Sequence, residues 1–472
     1  MGDTMQPLSD IDALFLNLDT RNTPMHIGSL SIYDQSKAPG GFLRFTDILA
    51  YYRSRLDRAK VFRRRRVNVP FNLGNPYWIE DPEFDIEFHI RHIALPEPRD
   101  WRQLTILAAR LFSRPLDLNK PLWEVYVIEG LDSIDGIAPN SFALLHKVHH
   151  SAIDGVSGAE LLAATHELGP DYDIPATSRY DGWQAGSMPS DLAMYVNGLI
   201  QSTRMPGKYA RYMRNFAGRW VDARQWLQGG HRSMQVAPDS PFNQGVTPHR
   251  VFDGVRFSLE QIKAVKNRVE GCTVNDVIIA ICGGGMHKYL ASREEGISDS
   301  LLAMMPKSTR SEAAMRDEGN QISIMRVAIG SHIEDARERL EFVRDSTHDA
   351  KELLSILGED VVAETLALIS PAVANLAGKV LMATGLSESV RMFNTVVTNV
   401  PGPPVPLYFM GCEMQQFYGM GPAASGLGLF QVVFSYNGIV SIGCVSCREM
   451  MPDPAFYARC LEEAYQEMLE LG

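Results

Sequence analysis

A mixed α/β architecture in two halves is what the sequence predicts, on three observations. Short apolar strand-like runs alternate with helical periodicity on both sides of the chain. A Pro- and Gly-punctuated stretch from about residue 169 to 245 separates the two sides. The length of 472 residues corresponds to about two or three domains of ordinary size. The expected division is 1–168, a crossover at 169–245 with some helix, and 246–472. A structureless loop of that length inside one domain would be improbable.

In the first part, Phe45 to Arg66 shows helical periodicity and ends in Arg63-Arg64-Arg65-Arg66. Trp101 to Ser113 repeats the pattern, with Leu104, Leu107, Ala108 and Leu111 on one face. The strand-like runs WEVYVIEGL and FALLHKVHH follow, and then a helical GVSGAELLAATHEL. In the crossover, helix is expected near Asp191–Gln201 and Arg214–Leu227. After it, RVFDGVRF predicts a strand followed by a helix. Thr273 opens a second helix, VNDVIIAICGGGMHKYLASR, and a strand is expected at Leu301–Met305. A helix is predicted over Asp335–Leu357. FNTVVTNVPGPP, a hairpin at Asn437-Gly438 and a final helix DPAFYARCLEEAYQEMLEL complete the chain.

Composition narrows the function classes. With 45 Lys+Arg, 56 Asp+Glu and a formal net charge of −11, the chain lacks the positive footprint of a general nucleic-acid binder. A hydrophobic share of 45% fits a packed globular protein. The six cysteines are scattered and form no disulfide framework, which suits a reducing, cytoplasmic setting. Cys444 and Cys447 have CxxC spacing, but they lie in a strand-like run without a second pair, so no metal site is expected. The N-terminus has no signal-peptide pattern. The long uncharged stretch Met414–Cys447 is divided by Asn437-Gly438, which predicts strands in place of a transmembrane helix. Gly283-Gly284-Gly285 matches neither the dinucleotide nor the P-loop pattern.

The chemistry-bearing motif is His149-His150-Ser151-Ala152-Ile153-Asp154-Gly155, placed after an apolar strand and before a helix. Alternation puts Phe142, Leu144, His146, Val148 and His150 on one face. His150 therefore arrives at the strand end, where a base for neutral-pH proton transfer would be useful. Asp154 is close enough along the chain to fix the ring or anchor the loop. Gly155 allows close approach of a ligand. His149 points the other way and packs or orients the loop, and His146 reads as a core histidine. Ser151, adjacent to His150 on extended chain, points away from it and is disfavoured as a nucleophile. The arginines at 63–66 could meet phosphates or a membrane, although a solvated face explains them more simply. The crossover's Arg204, Lys208, Arg211, Arg214 and Arg219, interleaved with Tyr209, Tyr212, Phe216 and Trp220, suit peripheral membrane docking.

HHxxxDG at 149–155 resembles the signature of the coenzyme-A-dependent acyltransferase superfamily. Further blocks, PLSDIDALFLNLDTRNTPMHIGSL, PLDLNKPLWEVYVIEGL, TVNDVIIAICGGGMHKYL, LLAMMPKSTR and FNTVVTNVPGPPVPLYFMGC, resemble the bacterial wax ester synthase/acyl-CoA:diacylglycerol acyltransferases. That resemblance implies two chloramphenicol-acetyltransferase-like α/β domains with the active site in a channel between them. It implies O-acyl transfer from long-chain acyl-CoA to diacylglycerol or a long-chain alcohol, without a covalent acyl-enzyme. Acyl-CoA enters as substrate, and no cofactor or metal is implied. Contact with a membrane or lipid-inclusion surface is expected, since the acceptors are insoluble in water. His150 aligns with the catalytic base, Asp154 with a structural loop anchor and Gly155 with a channel-access position. Asn275 and Asp276 match the family's Asn-Asp pair. For Asn275, oxyanion stabilisation and substrate contact both stay open, while a Thr-x-x-Asp helix start explains Asp276 as a cap. Pro121, Leu122 and Trp123 match a supporting block beside the site. Two rivals are a carrier-protein-dependent condensation enzyme and a non-catalytic lipid-inclusion protein.

Overall fold

In chain order, the first half runs β1 (Gln6–Pro7), α1 (Asp10–Leu18), β2 (His26–Asp34), α2 (Phe45–Arg53), β3 (Arg64–Val67), β4 (Tyr77–Glu80), α3 (Ile86–His89), β5 (Ile90–Ala94), α4 (Trp101–Phe112), β6 (Trp123–Glu129), β7 (Phe142–His149) and α5 (Gly158–Thr165). The second half runs β8 (Arg250–Ser258), α6 (Leu259–Lys266), α7 (Val274–Ala291), β9 (Leu302–Ser308), β10 (Ile322–Ala328), α8 (Ala336–Leu357), β11 (Thr395–Pro401), β12 (Tyr408–Phe409), β13 (Cys412–Met420), β14 (Leu429–Tyr436), β15 (Ile439–Cys447) and α9 (Pro454–Leu469). This computed structural model describes residues 6–36, 38–70, 74–153, 158–174, 236–294, 298–308, 322–358 and 391–471, with Met194, Arg219 and Trp226 singly. The two crossover helices expected from the sequence fall outside the described residues, those three single positions apart.

Two six-stranded mixed sheets carry the molecule, in the orders β12-β13-β2-β7-β6-β5 and β10-β9-β11-β14-β15-β8, beside a small sheet β1-β4-β3. β7 is central in the first sheet and buried on both faces, which is why its sequence is nearly unbroken apolar. Phe142, Leu144 and Val148 pack with Tyr51, Tyr52 and Trp123. Ala143 and Leu145 pack on the opposite face with Leu104, Ala108 and Leu111 of α4. The sheets do not follow the sequence division at 246, because β12 and β13 cross back and join the N-terminal sheet. β13 pairs antiparallel with β2, Phe417 opposite Ser31. β2 thereby becomes an interior strand, paired on both edges by β13 and β7.

One helix is shorter than its periodicity predicts. α2 ends at Arg53, capped by Ser54, because Arg55 turns inward over the Tyr51 ring at 3.4 Å and binds Glu167 at 2.5 Å. The arginines 64–66 then enter β3, where pairing with β4 overrides their helical preference. They are partnered within the fold rather than forming a plain solvated face. Arg63 meets Glu80 at 3.0 Å, Arg64 meets Gln6 at 2.8 Å, Arg65 meets Asp81 at 3.3 Å, and Arg66 donates to the Leu118 carbonyl at 3.0 Å. Together they brace the small sheet from which α1 leaves.

The second half follows its sequence closely. Asn437 and Gly438 have φ of 45° and 80°, the left-handed pair of a tight hairpin between β14 and β15. Met414–Cys447 therefore runs through β13, β14 and β15 and the connections between them, and no helix among the described residues is long and apolar enough to cross a membrane. The triple glycine is a packing stripe on α7. A Cβ at Gly283 would lie 1.9 Å from the Ile329 carbonyl oxygen, and one at Gly285 would lie 2.6 Å from Leu461. All six cysteines are free, and only Cys272 is less than fully buried.

Candidate active site

β7 delivers the two histidines, and hydrogen bonds from three directions fix them. The His149 amide donates to the Leu122 carbonyl at 2.9 Å and the His150 amide to the Met25 carbonyl at 2.9 Å. β7 ends at His149, and His150 opens a short helical turn through Ala152. Leu122 and Trp123 are fully buried, and the Trp123 indole donates to the Phe62 carbonyl at 3.1 Å. The Pro121-Leu122-Trp123 block thus holds the strand on which the turn rests.

His150 keeps partial solvent contact, while one face of its ring stacks on Phe15 of α1 at 3.8 Å and 17°. Burial, with a smaller contribution from neighbouring His149, pushes its pKa down to about 4, and its own backbone pulls weakly the other way. Its Nδ1 is buried and has no hydrogen-bond partner among the described residues. The ring is consequently neutral at physiological pH, the state a proton acceptor requires.

His149 faces the opposite side and is fully buried. Its Nε2–H donates to Asp19 Oδ2 at 3.3 Å. Its Nδ1 lies 2.7 Å from Ser151 Oγ and accepts the Ser151 amide at 3.2 Å. These partners assign the Nε2–H tautomer. Ser151 is itself buried and turned toward His149, away from His150. His146 accepts from Tyr52 Oη at 2.7 Å through Nε2, yet its Nδ1 has no partner among the described residues. Burial, then the nearby His166, holds its pKa at about 3.

Asp154 and Gly155 lie outside the described residues. So do Arg204, Lys208, Arg211 and Arg214 of the basic cluster, with Tyr209, Tyr212, Phe216 and Trp220. Asp276 is buried as the return half of a capping box on α7: its Oδ2 accepts from the Thr273 amide at 2.8 Å and its Oδ1 from Thr347 at 2.6 Å. Asn275, half-buried, accepts from Asn399 Nδ2 of β11 at 3.2 Å. Among the described residues, no hydrogen bond or ring contact joins it to the His149–Ala152 turn.

Sequence reasoning assigned no role to Phe15, Asp19 or Met25, although all three lie in the quoted N-terminal block. Their proximity to the histidines arises from pairing between distant segments, which local spacing does not encode.

Two mixed sheets with a histidine pair at the end of a central strand have counterparts among solved structures. In agreement, a mutant starter condensation domain of rhizomide synthetase shares the fold, with a TM-score of 0.55 at 13% identity over 99% of this chain and 94% of that one. The sequence model described as the wax ester synthase/diacylglycerol acyltransferase catalytic domain matches residues 8–278, and the C-terminal domain of that family matches 318–469. The O-acyltransferase WSD of Acinetobacter baylyi is 30% identical over 480 residues, covering 98% of this chain and 96% of the relative. The solved wax ester synthase/diacylglycerol acyltransferase of Marinobacter aquaeolei VT8 superposes with a TM-score of 0.67 at 27% identity, covering 98% of each chain. The chain belongs to the wax ester synthase/diacylglycerol acyltransferase family and is an acyltransferase.

Proposed function

We propose that this enzyme moves a long-chain acyl group from acyl-CoA to the hydroxyl of a diacylglycerol or a long-chain alcohol, with His150 as general base. The observation that carries the reading is a neutral, half-buried imidazole at the end of β7, within a full-length family match. In the tautomer this reading requires, Nδ1 carries the proton and the Nε2 lone pair is the acceptor. Nε2 takes the alcohol proton as that oxygen attacks the thioester carbonyl. The tetrahedral intermediate then breaks its C–S bond, and the imidazolium returns the proton to the coenzyme A thiolate. Such help contributes about 10² to 10⁴-fold, and alignment of two substrates contributes further. Asn275 Nδ2, unpartnered among the described residues, is the side-chain donor this reading assigns to the substrate. The family resemblance assigns loop anchoring to Asp154 and channel access to Gly155, both outside the described residues.

The reading needs no metal or prosthetic group. Lipid acceptors imply work at a membrane or inclusion surface on the cytoplasmic side. Exposed Leu168 and Val405, near the Glu167–Tyr408 bridge, support lipid contact, and free cysteines support a reducing compartment.

The test is purified protein with labelled palmitoyl-CoA and a panel of alcohols and diacylglycerols. His150→Ala is expected to remain folded and lose turnover. A folded His150→Ala protein with appreciable activity would reject His150 as base.

A further inference from the structure

The turn Asp19–Met25 closes a ring of bonds around the histidine pair. Asp19 Oδ2, on a side chain nine-tenths buried, accepts both the Met25 amide at 2.9 Å and the His149 Nε2–H at 3.3 Å. The Met25 carbonyl in turn accepts the His150 amide at 2.9 Å. One carboxylate oxygen therefore fixes the ring of His149 and, through Met25, the backbone of His150. Between these ends the chain is a tight turn: Thr20 and Thr23 exchange amide–carbonyl bonds at 3.1 and 3.2 Å, and the Thr23 amide also reaches Thr20 Oγ1 at 3.0 Å.

The apex of this turn is held from the other half of the molecule. Arg250, at the start of β8 and 6% exposed, donates to the Asn22 carbonyl at 2.5 Å and to the Ala423 carbonyl at 3.0 Å, and it also bonds the Thr247 carbonyl. A buried guanidinium surrounded by carbonyl acceptors is a rigid strut, since its planar fork leaves few alternative geometries. The turn thus links the two histidines to the C-terminal sheet, and among the described residues Arg250 makes no hydrogen bond to either ring.

We propose that Asp19 is the positioning residue of the reaction and that Arg250 anchors the 19–25 turn for it, so that the two halves together set the direction of the His150 ring. This rests on the reading of His150 as base and deepens it. Misplacement of a reacting group by about 1 Å costs about 10²-fold in rate, whereas binding of either lipid should not depend on this turn. The role is therefore read as a fall in kcat without a matching rise in KM.

The experiment uses the full chain with labelled palmitoyl-CoA and the best acceptor of the panel. Asp19→Ala is expected to lower kcat about ten- to a hundredfold, with KM for palmitoyl-CoA within about twofold. Asp19→Asn keeps an oxygen that accepts the same two N–H groups and is expected to regain most of that loss. In the His150→Ala background, Asp19→Ala should lower residual turnover no further. Should Asp19→Ala fail to fold, Arg250→Lys replaces it: a lysine cannot span the carbonyl set, and kcat should fall at unchanged KM. The proposal is overturned if folded Asp19→Ala keeps kcat within about threefold, if Asp19→Asn regains nothing, if the losses add in the double variant, or if Arg250→Lys leaves kcat unchanged. A dead His150→Ala protein beside a fully active Asp19→Ala protein would sink only the turn's role. An active His150→Ala protein would sink the base itself.

Discussion

Acidification should unfold this protein through its buried histidines before most of its carboxylates titrate. Burial holds His89, His150 and His166 at about 4 and His146 at about 3, against an ordinary value of 6.5. A folded-state pKa below the unfolded value means that the folded chain binds fewer protons between the two. Stability is then complete above pH 6.5 and is lost as the pH falls through that window. At pH 5, each group favours the unfolded chain by about 2 kcal/mol. Four groups approach about 8 kcal/mol, somewhat less because His150 keeps solvent contact, set against a typical stability of about 5–15 kcal/mol. Thermal unfolding followed by circular dichroism at pH 7.5, 6.5, 5.8 and 5.0 should show little change over the first step and a steep drop over the last two. Burial also holds His26 well below its ordinary value, so His166→Gln, which keeps a neutral polar group near Tyr33, should flatten that slope by about a fifth. A melting temperature constant from pH 7.5 to 5.0 would refute the reasoning, because these rings would then not be neutral and buried.

Two further outcomes follow from the packing. Phe15→Ala uncovers one face of His150, so the acid limb of the kcat/KM–pH profile should move up toward 6.5; an unmoved limb would mean that the stacked ring contributes nothing to desolvation. Gly283→Ala drives a methyl group against the Ile329 carbonyl oxygen and should lower stability by at least about 2 kcal/mol, read from the urea midpoint at constant slope.

Local signals in the sequence were strong where the structure is local. Thr273 and Asp276 announce the cap of α7, Asn437-Gly438 the β14–β15 hairpin, and the periodicity over 335–357 gives α8 almost to the residue. HHxxxDG, placed after an apolar strand, located the His149–His150 turn. What stayed hidden depends on contacts between remote segments. Asp19 meets His149 across 130 residues, and Arg250 meets Asn22 across 228. No periodicity records such pairs. The same reason explains α2, whose helical pattern continues past Arg53 while Arg55 and the arginines of β3 answer to Glu167 and β4. Ser151 is a related case: its separation from His150 was legible, but its bond to His149 needed the turn.

The return of residues 408–420 into the N-terminal sheet bears on how the chain can be divided. A fragment cut in the crossover would expose the β2 edge as unpaired backbone, and its counterpart would carry two strands without a sheet to join. Each piece would lack pairing that the other supplies, so synthesis must pass residue 420 before the N-terminal sheet can close.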